Sequence, residues 1–203
     1  MKEETLRTLR AVADYYDLRK VGDQGPLGFR RSTDLCVLLE ALSLMEEMGI
    51  FRSGTARFMD LGCADGRVVL FMSYVCVISA GIELDEWTLE EYLPLRRELE
   101  EELRKRSLPL PDSKIFLFGG DALSEAVQSQ IQRSIGIGIG DFDIYYTYLL
   151  MHEEFSRLVE EKAKKGAQFW VYGISGVVPR YPGMRLLTKE GSLRGILAVY
   201  EKL

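Results

Sequence analysis

Asp60, Gly62, Ala64 and Gly66 stand at alternate positions in Phe58-Met59-Asp60-Leu61-Gly62-Cys63-Ala64-Asp65-Gly66-Arg67, where an apolar run ends. A strand-to-helix turn needs an acid followed by small residues when its backbone N–H groups must come close to a ligand, because a Cβ would block that approach. A second acid, Glu83, follows in Ala80-Gly81-Ile82-Glu83-Leu84-Asp85. An acid about 20 residues beyond such a turn, at the end of the next strand, can accept hydrogen bonds from both hydroxyls of a ribose. Together the two stretches describe a nucleoside-binding crossover.

A dinucleotide site would seat a pyrophosphate on a helix N-terminus with G-x-G-x-x-G. Here the turn carries carboxylates at Asp60 and Asp65. These repel phosphate and suit a cation that bears an amino group and ribose hydroxyls. S-adenosylmethionine is such a ligand, and at this point the sequence resembles the seven-strand class of S-adenosylmethionine-dependent methyltransferases, whose first motif is an acid, a variable residue and then glycines at alternate positions. The resemblance implies that Asp60, Gly62, Ala64 and Gly66 hold the methionine end of the cofactor and Glu83 its ribose. It also implies that the acid after the following strand, Asp121 in Gly119-Gly120-Asp121-Ala122, meets the adenine amino group together with Ala122. Ala64 replaces the usual middle glycine, and its methyl is expected on backbone that is not at positive φ.

Composition narrows the class further. The chain has 203 residues, 47% hydrophobic and 28% charged, enough for one full α/β core. No uncharged apolar run approaches the roughly 18 residues of a membrane span, and Met1-Lys2-Glu3-Glu4 opens a polar helix rather than a signal peptide, so a soluble, cytoplasmic protein is expected. Cys36, Cys63 and Cys76 are odd in number and set among apolar neighbours, which predicts buried thiols and neither a disulfide framework nor a metal site. The net charge of −5 argues against a broad grip on nucleic acid, although Arg30-Arg31 forms a local basic patch.

The elements that must position these residues alternate along the chain. Leu6, Leu9, Val12, Ala13 and Tyr16 recur at helical spacing, which predicts a helix over residues 4–18; residues 21–28 break it. Residues 1–31 thus read as an N-terminal helix and connecting loop, and 32–203 as the methyltransferase domain. Ser32 or Thr33 is expected to cap a second helix, whose stripe is Leu35, Leu38, Leu39, Leu42 and Met45. Residues 68–78 are apolar all round, and the need for a right-handed crossover between parallel strands assigns them to a buried helix. Residues 86–106 predict a solvated helix with a break at Pro94, which belongs in the first turn of its longer part.

Strands are expected at 114–118, 141–150, 168–174, 185–187 and 195–201, with a helix at 152–165. Gly136-Ile137-Gly138-Ile139-Gly140 precedes a strand instead of opening a helix, so it reads as a lead-in and not as a phosphate loop. The whole is a doubly wound, Rossmann-like α/β fold: a seven-stranded sheet with an antiparallel edge strand and an N-terminal helical extension.

For the methyl acceptor, residues after the expected central strand matter most. The class members that methylate an amide or a base amine carry Asn-Pro-Pro-aromatic there, whereas this chain has Tyr146-Thr147-Tyr148-Leu149-Leu150-Met151-His152. A narrower resemblance is to the short archaeal and mitochondrial-type protein-lysine methyltransferases. It rests on Asp60–Arg67, Gly81–Glu83, Tyr148-Leu149-Leu150 and the proline-containing loop Val178-Pro179-Arg180-Tyr181-Pro182, and spans about residues 29–203. It implies a protein lysine as acceptor, with a small molecule, an RNA or a non-catalytic cofactor-binding role as alternatives.

Presenting a free lysine amine at neutral pH costs roughly 4.6 kcal/mol, from a reference pKa of about 10.4. A site offsets this by desolvating the ammonium and giving its proton a way out. Tyr146, Tyr148, Tyr181 and Trp170 are candidates to line such a channel, and strand alternation sends Tyr146 and Tyr148 to one face and Tyr145 and Thr147 to the other. His152, the only histidine, is the candidate base. Phe29, Arg30, Ser32 and Thr33 are candidates to close over the cofactor from the N-terminal side.

Overall fold

The computed structural model describes residues 1–25, 28–30, 32–188 and 191–203, with the backbone alone at 22–25 and 28–30. The Arg30-Arg31 patch and the Phe29 side chain therefore lie outside what is described. Seven strands form one sheet: β3 (Arg57–Leu61), β4 (Ile78–Glu83), β5 (Ile115–Gly119), β6 (Ile144–Tyr148), β7 (Gln168–Tyr172), β8 (Met184–Leu186) and β9 (Leu197–Lys202), in the order β5-β4-β3-β6-β7-β9-β8. The first five in that order run parallel, and β9 runs antiparallel to both β7 and β8. The strand order reverses between β3 and β6, and ligands of such sheets bind beyond the carboxyl ends of the strands at that switch.

Helices cover both faces. Against one lie α1 (Glu3–Asp17), α2 (Leu35–Glu47), α3 (Arg67–Met72) and α5 (Tyr92–Lys105); against the other, α6 (Glu125–Ile135) and α7 (His152–Lys162). Period-two alternation decides which strand residue serves which core. Phe58, Tyr146 and Trp170 are buried under α1 and α2, while Met59, Tyr145 and Phe169 are buried under α6 and α7. Leu9, Val12 and Tyr16 of α1 belong to the first of these cores, so the N-terminal helix packs as part of the sheet's own cover. No helix among the described residues is long and apolar enough to cross a membrane.

Several expectations need correcting. Asp34, not Ser32 or Thr33, caps α2: its carboxylate accepts from Val37 N at 2.8 Å, and Asp17 accepts from Leu35 N and Cys36 N at 2.9 and 3.0 Å. The crossover helix α3 ends at Met72, well short of residue 78, where the Ser73 hydroxyl bonds back to Leu70 O and competes with helix propagation. The stretch that breaks α1 is itself structured, as an antiparallel hairpin of β1 (Val21–Gly25) and β2 (Gly28–Arg30). The sequence reading assigns no element to α6, which buries only Val127 and Ile131 and so shows a thin apolar stripe. Pro94 does fall in the first turn of α5, after a break that separates it from α4 (Glu86–Glu90).

Candidate functional site

The carboxyl ends of β3 and β4 are stitched together by the turn that follows β3. Gly62 N and Cys63 N both donate to Ile82 O at 2.9 Å, and Gly66 N donates to Cys63 O at 2.8 Å. At the end of β4 the Glu83 carboxylate is gripped from two sides, by Ala64 N at 2.8 Å and Asp85 N at 2.9 Å. The acid and the glycine turn therefore form one unit, and the Glu83 oxygens are fixed in direction before any ligand arrives. The turn and β4 approach so closely that a Cβ on Gly81 would meet Val69 Cγ2 at 2.6 Å and Cys63 Cβ at 2.7 Å. At Gly62 the reverse holds: φ is +95°, and a Cβ there would meet no atom within 4 Å. Gly62 thus presents bare backbone to space that is open among the described residues.

Ala64 departs from expectation. Its φ is 49°, in the left-handed region where the added methyl costs an L-residue about 1–2 kcal/mol. The turn keeps this strain because the same residue's N–H holds Glu83, and strained backbone concentrates at functional sites. Met151, at the end of the loop after β6, is held at φ 53°.

The acids of the motif have different fates. Asp65 is fully buried and paired with Arg67, with Nη2 to Oδ2 at 2.8 Å and Nε to Oδ1 at 3.0 Å. Arg67 also donates to Tyr16 O, Ser32 Oγ and Arg19 O, so it bolts the end of α1 and the approach to α2 onto the turn. Asp65 is therefore spent internally, so the two acids of the turn are not equivalent. Asp60 is 2% exposed, and its Oδ1 has no hydrogen-bond partner among the described residues. Burial, then the nearby charges of Glu83 and Asp65, hold its carboxyl well above the usual carboxylate range. Burial pushes the adjacent Cys63 thiol up as well, with Asp60 adding to the effect.

Asp121 lies in the exposed loop after β5, which is tied to the end of β4: Gly120 N donates to Glu83 O at 2.8 Å. Its Oδ1 accepts from Leu123 N at 2.9 Å, which fixes the loop. The Ala122 side chain is packed into the core under α6, and its carbonyl accepts from Gln128 Nε2.

On the acceptor side the four aromatics do not converge. Tyr146 is 1% exposed and its hydroxyl is bonded to Thr33 Oγ1, so it lies in the core and lines no open channel. Trp170, its register neighbour on β7, is fully buried, stacked edge-on with Phe51 and bonded to Gln168. Both stand mid-strand, where α1 and α2 cover the sheet. Tyr181 belongs to the opposite core, with its hydroxyl 2.7 Å from His152 Nδ1. Only Tyr148, half-buried at the end of β6, remains near the cleft edge, its ring centroid 5.6 Å from that of Tyr172. Tyr172, which the sequence reading passed over, is bonded through its hydroxyl to the Asp34 backbone. Its place in register with Tyr148 at the carboxyl end of β7 was the available signal. Ser32 and Thr33 are fastened to Arg67 and Tyr146, so the segment before α2 is tied to both the turn and the central strand.

A set of exposed apolar side chains in the segments that follow β4, β5, β6 and β7, one of them on α4, also escaped the sequence reading. It comprises Leu84, Trp87, Leu123, Leu149, Leu150, Met151 and Val177, with Trp87 82%, Leu150 77% and Val177 92% exposed. Acids stand among them at Glu86, Asp121, Glu125, Glu153 and Glu154.

No protein-family model and no curated protein sequence matches the chain. Solved structures do match its fold. A variant of MtNAS, a nicotianamine synthase, in complex with S-adenosylmethionine superposes with a TM-score of 0.52 at 14% identity, covering 98% of this chain and 72% of that one. An RNA methyltransferase from Salinibacter ruber in complex with S-adenosylhomocysteine gives 0.52 at 17% identity, covering 85% and 93%. A conserved hypothetical protein from Streptococcus pyogenes gives 0.50 at 13% identity, covering 79% and 94%. The chain thus has the seven-stranded, Rossmann-like fold found in S-adenosylmethionine-dependent methyltransferases.

Proposed function

We propose that the chain is an S-adenosylmethionine-dependent methyltransferase whose cofactor lies across the carboxyl ends of β3 and β4. The observation that carries this reading is the Glu83 carboxylate held by Ala64 N and Asp85 N beside a buried Asp60 with no partner for Oδ1. The donor set fits the ligand. Glu83 is an acid of the kind that accepts from ribose hydroxyls, Gly62 opens onto space that a side chain would fill, and Asp60 offers a buried carboxyl group to a cationic amino acid end. Asp121, exposed in the loop tied to the end of β4, is the candidate partner of the adenine amine. S-adenosylmethionine, when bound, supplies an electrophilic methyl group. The chain's contribution is then alignment, so no covalent nucleophile is required of it.

For the acceptor we propose an amine carried by a protein, a lysine. The exposed apolar side chains that follow β4, β5, β6 and β7 support this, because exposed apolar groups at the carboxyl ends of the strands suit a macromolecular contact. The acids among them favour a basic polypeptide over a phosphate backbone. Tyr148 stands at the end of β6 to orient the amine. In the tautomer whose Nδ1–H donates to the Tyr181 hydroxyl oxygen, His152 keeps Nε2 as the nitrogen able to take a proton.

The test is incubation with labelled S-adenosylmethionine and fractionated lysate, with and without ribonuclease, followed by lysine-specific mass spectrometry. Label on lysine that survives ribonuclease is expected. Label that vanishes with ribonuclease, or that stays in the small-molecule fraction, replaces the lysine reading with an RNA or small-molecule acceptor. Cofactor binding with no label in any fraction leaves a non-catalytic binding protein.

A further inference from the structure

A carboxylate placed where Asp60 stands is electrostatically unbalanced. It is buried at the end of β3, and one of its oxygens finds no donor. The elements packed around it bring acids and neutral groups toward it. From β4 comes Glu83, an acid already holding two N–H groups. From the turn come Asp65 and the Cys63 thiol, and Arg67, two residues beyond Asp65, is engaged by Asp65 and by carbonyls of the N-terminal segment. From β6 comes the Tyr146 phenol, which is bonded to Thr33 and is itself pushed up, by burial first and then by Asp60. Among the described residues, the charged groups acting on Asp60 are Glu83 and Asp65, and both are negative. An isolated buried carboxylate in such surroundings takes a proton rather than stay charged.

We propose that Asp60 trades a proton for the ligand's positive charge: it is a neutral carboxylic acid in the ligand-free protein, and it ionises when a ligand carrying an ammonium enters the turn. The inference rests on the cofactor reading above and adds the proton linkage to it. The balance is simple. The O–H bond of Asp60 breaks, the proton passes to solvent, and the ammonium of the entering ligand becomes the counter-ion of the carboxylate. Asp60 is then the residue that recognises the amino acid end of the ligand by charge, and a ligand lacking that end does not ionise it.

Two ligands separate the possibilities. S-adenosylhomocysteine carries the ammonium and carboxylate, whereas 5′-methylthioadenosine keeps the nucleoside and thioether without them. Calorimetric titration of the full chain at pH 7.5, in phosphate and in Tris, reads proton release from the dependence of binding heat on buffer ionisation. About one proton released per S-adenosylhomocysteine and none per 5′-methylthioadenosine is the expected result. Asp60→Asn keeps the shape and loses the titrating group. It is expected to abolish the release and to weaken S-adenosylhomocysteine about tenfold or more, with 5′-methylthioadenosine unaffected.

Equal proton release by the two ligands overturns the proposal, as does release that persists in Asp60→Asn. The wild-type comparison decides the matter even if the variant does not fold. S-adenosylhomocysteine that binds without releasing a proton removes the linkage and spares the cofactor reading, whereas failure of S-adenosylhomocysteine to bind removes both.

Discussion

Gly62 offers the sharpest separation between what a substitution costs the protein and what it costs a ligand. A Cβ built there meets no protein atom within 4 Å, and φ is +95°. Gly62→Ala therefore pays for backbone only, about 1–2 kcal/mol for placing an L-residue in the left-handed region. For a chain of this size that is a fall in Tm of roughly 2–8 °C. The methyl then projects into the space where the ligand would pass the turn, so affinity for S-adenosylhomocysteine should drop by about a hundredfold or more, the equivalent of about 3 kcal/mol.

A matched control lies at the far end of the sheet. Gly166 has φ +80°, is equally open, and precedes β7 at its amino end, so Gly166→Ala carries the same backbone strain away from the turn. Thermal melts and calorimetric titration on both variants make the comparison. The expected pattern is similar loss of Tm and loss of binding in Gly62→Ala alone. If both variants bind S-adenosylhomocysteine as the wild type does, the cleft is not at Gly62 and the site is misplaced.

Glu83→Ala removes the acceptor of two backbone N–H groups and of the ribose hydroxyls, which should weaken S-adenosylhomocysteine by about 1.5–3 kcal/mol, or ten- to a hundredfold in Kd; an unchanged Kd by calorimetry refutes the ribose assignment. Ala64→Gly relieves the strain at φ 49°, about 1–2 kcal/mol, against roughly 0.5–1 kcal/mol lost to glycine's greater freedom when unfolded. The net is a gain of up to about 1.5 kcal/mol, or up to about 6 °C in Tm in a melting experiment, and a fall would mean that the methyl packs. For Asp60 the folded carboxyl is raised above its unfolded value of about 3.9, so the folded state holds the proton more tightly. Its stabilising contribution is complete below that unfolded value and is lost as pH rises toward the folded one. The Tm of ligand-free Asp60→Asn minus that of the wild type should therefore grow as pH rises above about 4, and a flat difference would show that Asp60 titrates normally.

Sequence patterns revealed the frame of the fold because each central strand is short, apolar and bounded by glycine or acid, and parallel pairing demands a crossover between them. That demand identified α3 correctly as a helix but not its length, since the continuous apolar run from residue 68 to 78 contains helix, turn and strand in succession. Periodicity had nothing to report where one element gives way to another without a change in hydrophobicity. The β1–β2 hairpin was hidden for the opposite reason. Gly22, Gly25 and Gly28 read as punctuation, yet glycine also allows the tight antiparallel pairing of Gly25 with Gly28.

At the site, the sequence conveyed direction better than depth. Alternation placed Tyr146 and Tyr148 on the same face of β6, and they are so placed. It could not say that two residues further along the strand separate a phenol sealed under α1 and α2 from one at the cleft edge. That distinction is set by how far the N-terminal helices reach over the sheet, and it is visible only in the bond from Thr33 to Tyr146. The same limit applies to the acids. Asp60 and Asp65 look equivalent in the motif, but Arg67, two residues beyond Asp65, folds back and neutralises it, which leaves Asp60 as the acid of the turn with an oxygen lacking a donor among the described residues. A motif shows which groups can approach a ligand. Which of them still lacks a partner depends on contacts made from elsewhere in the chain, and the proton linkage proposed for Asp60 is a consequence of those contacts and not of the motif.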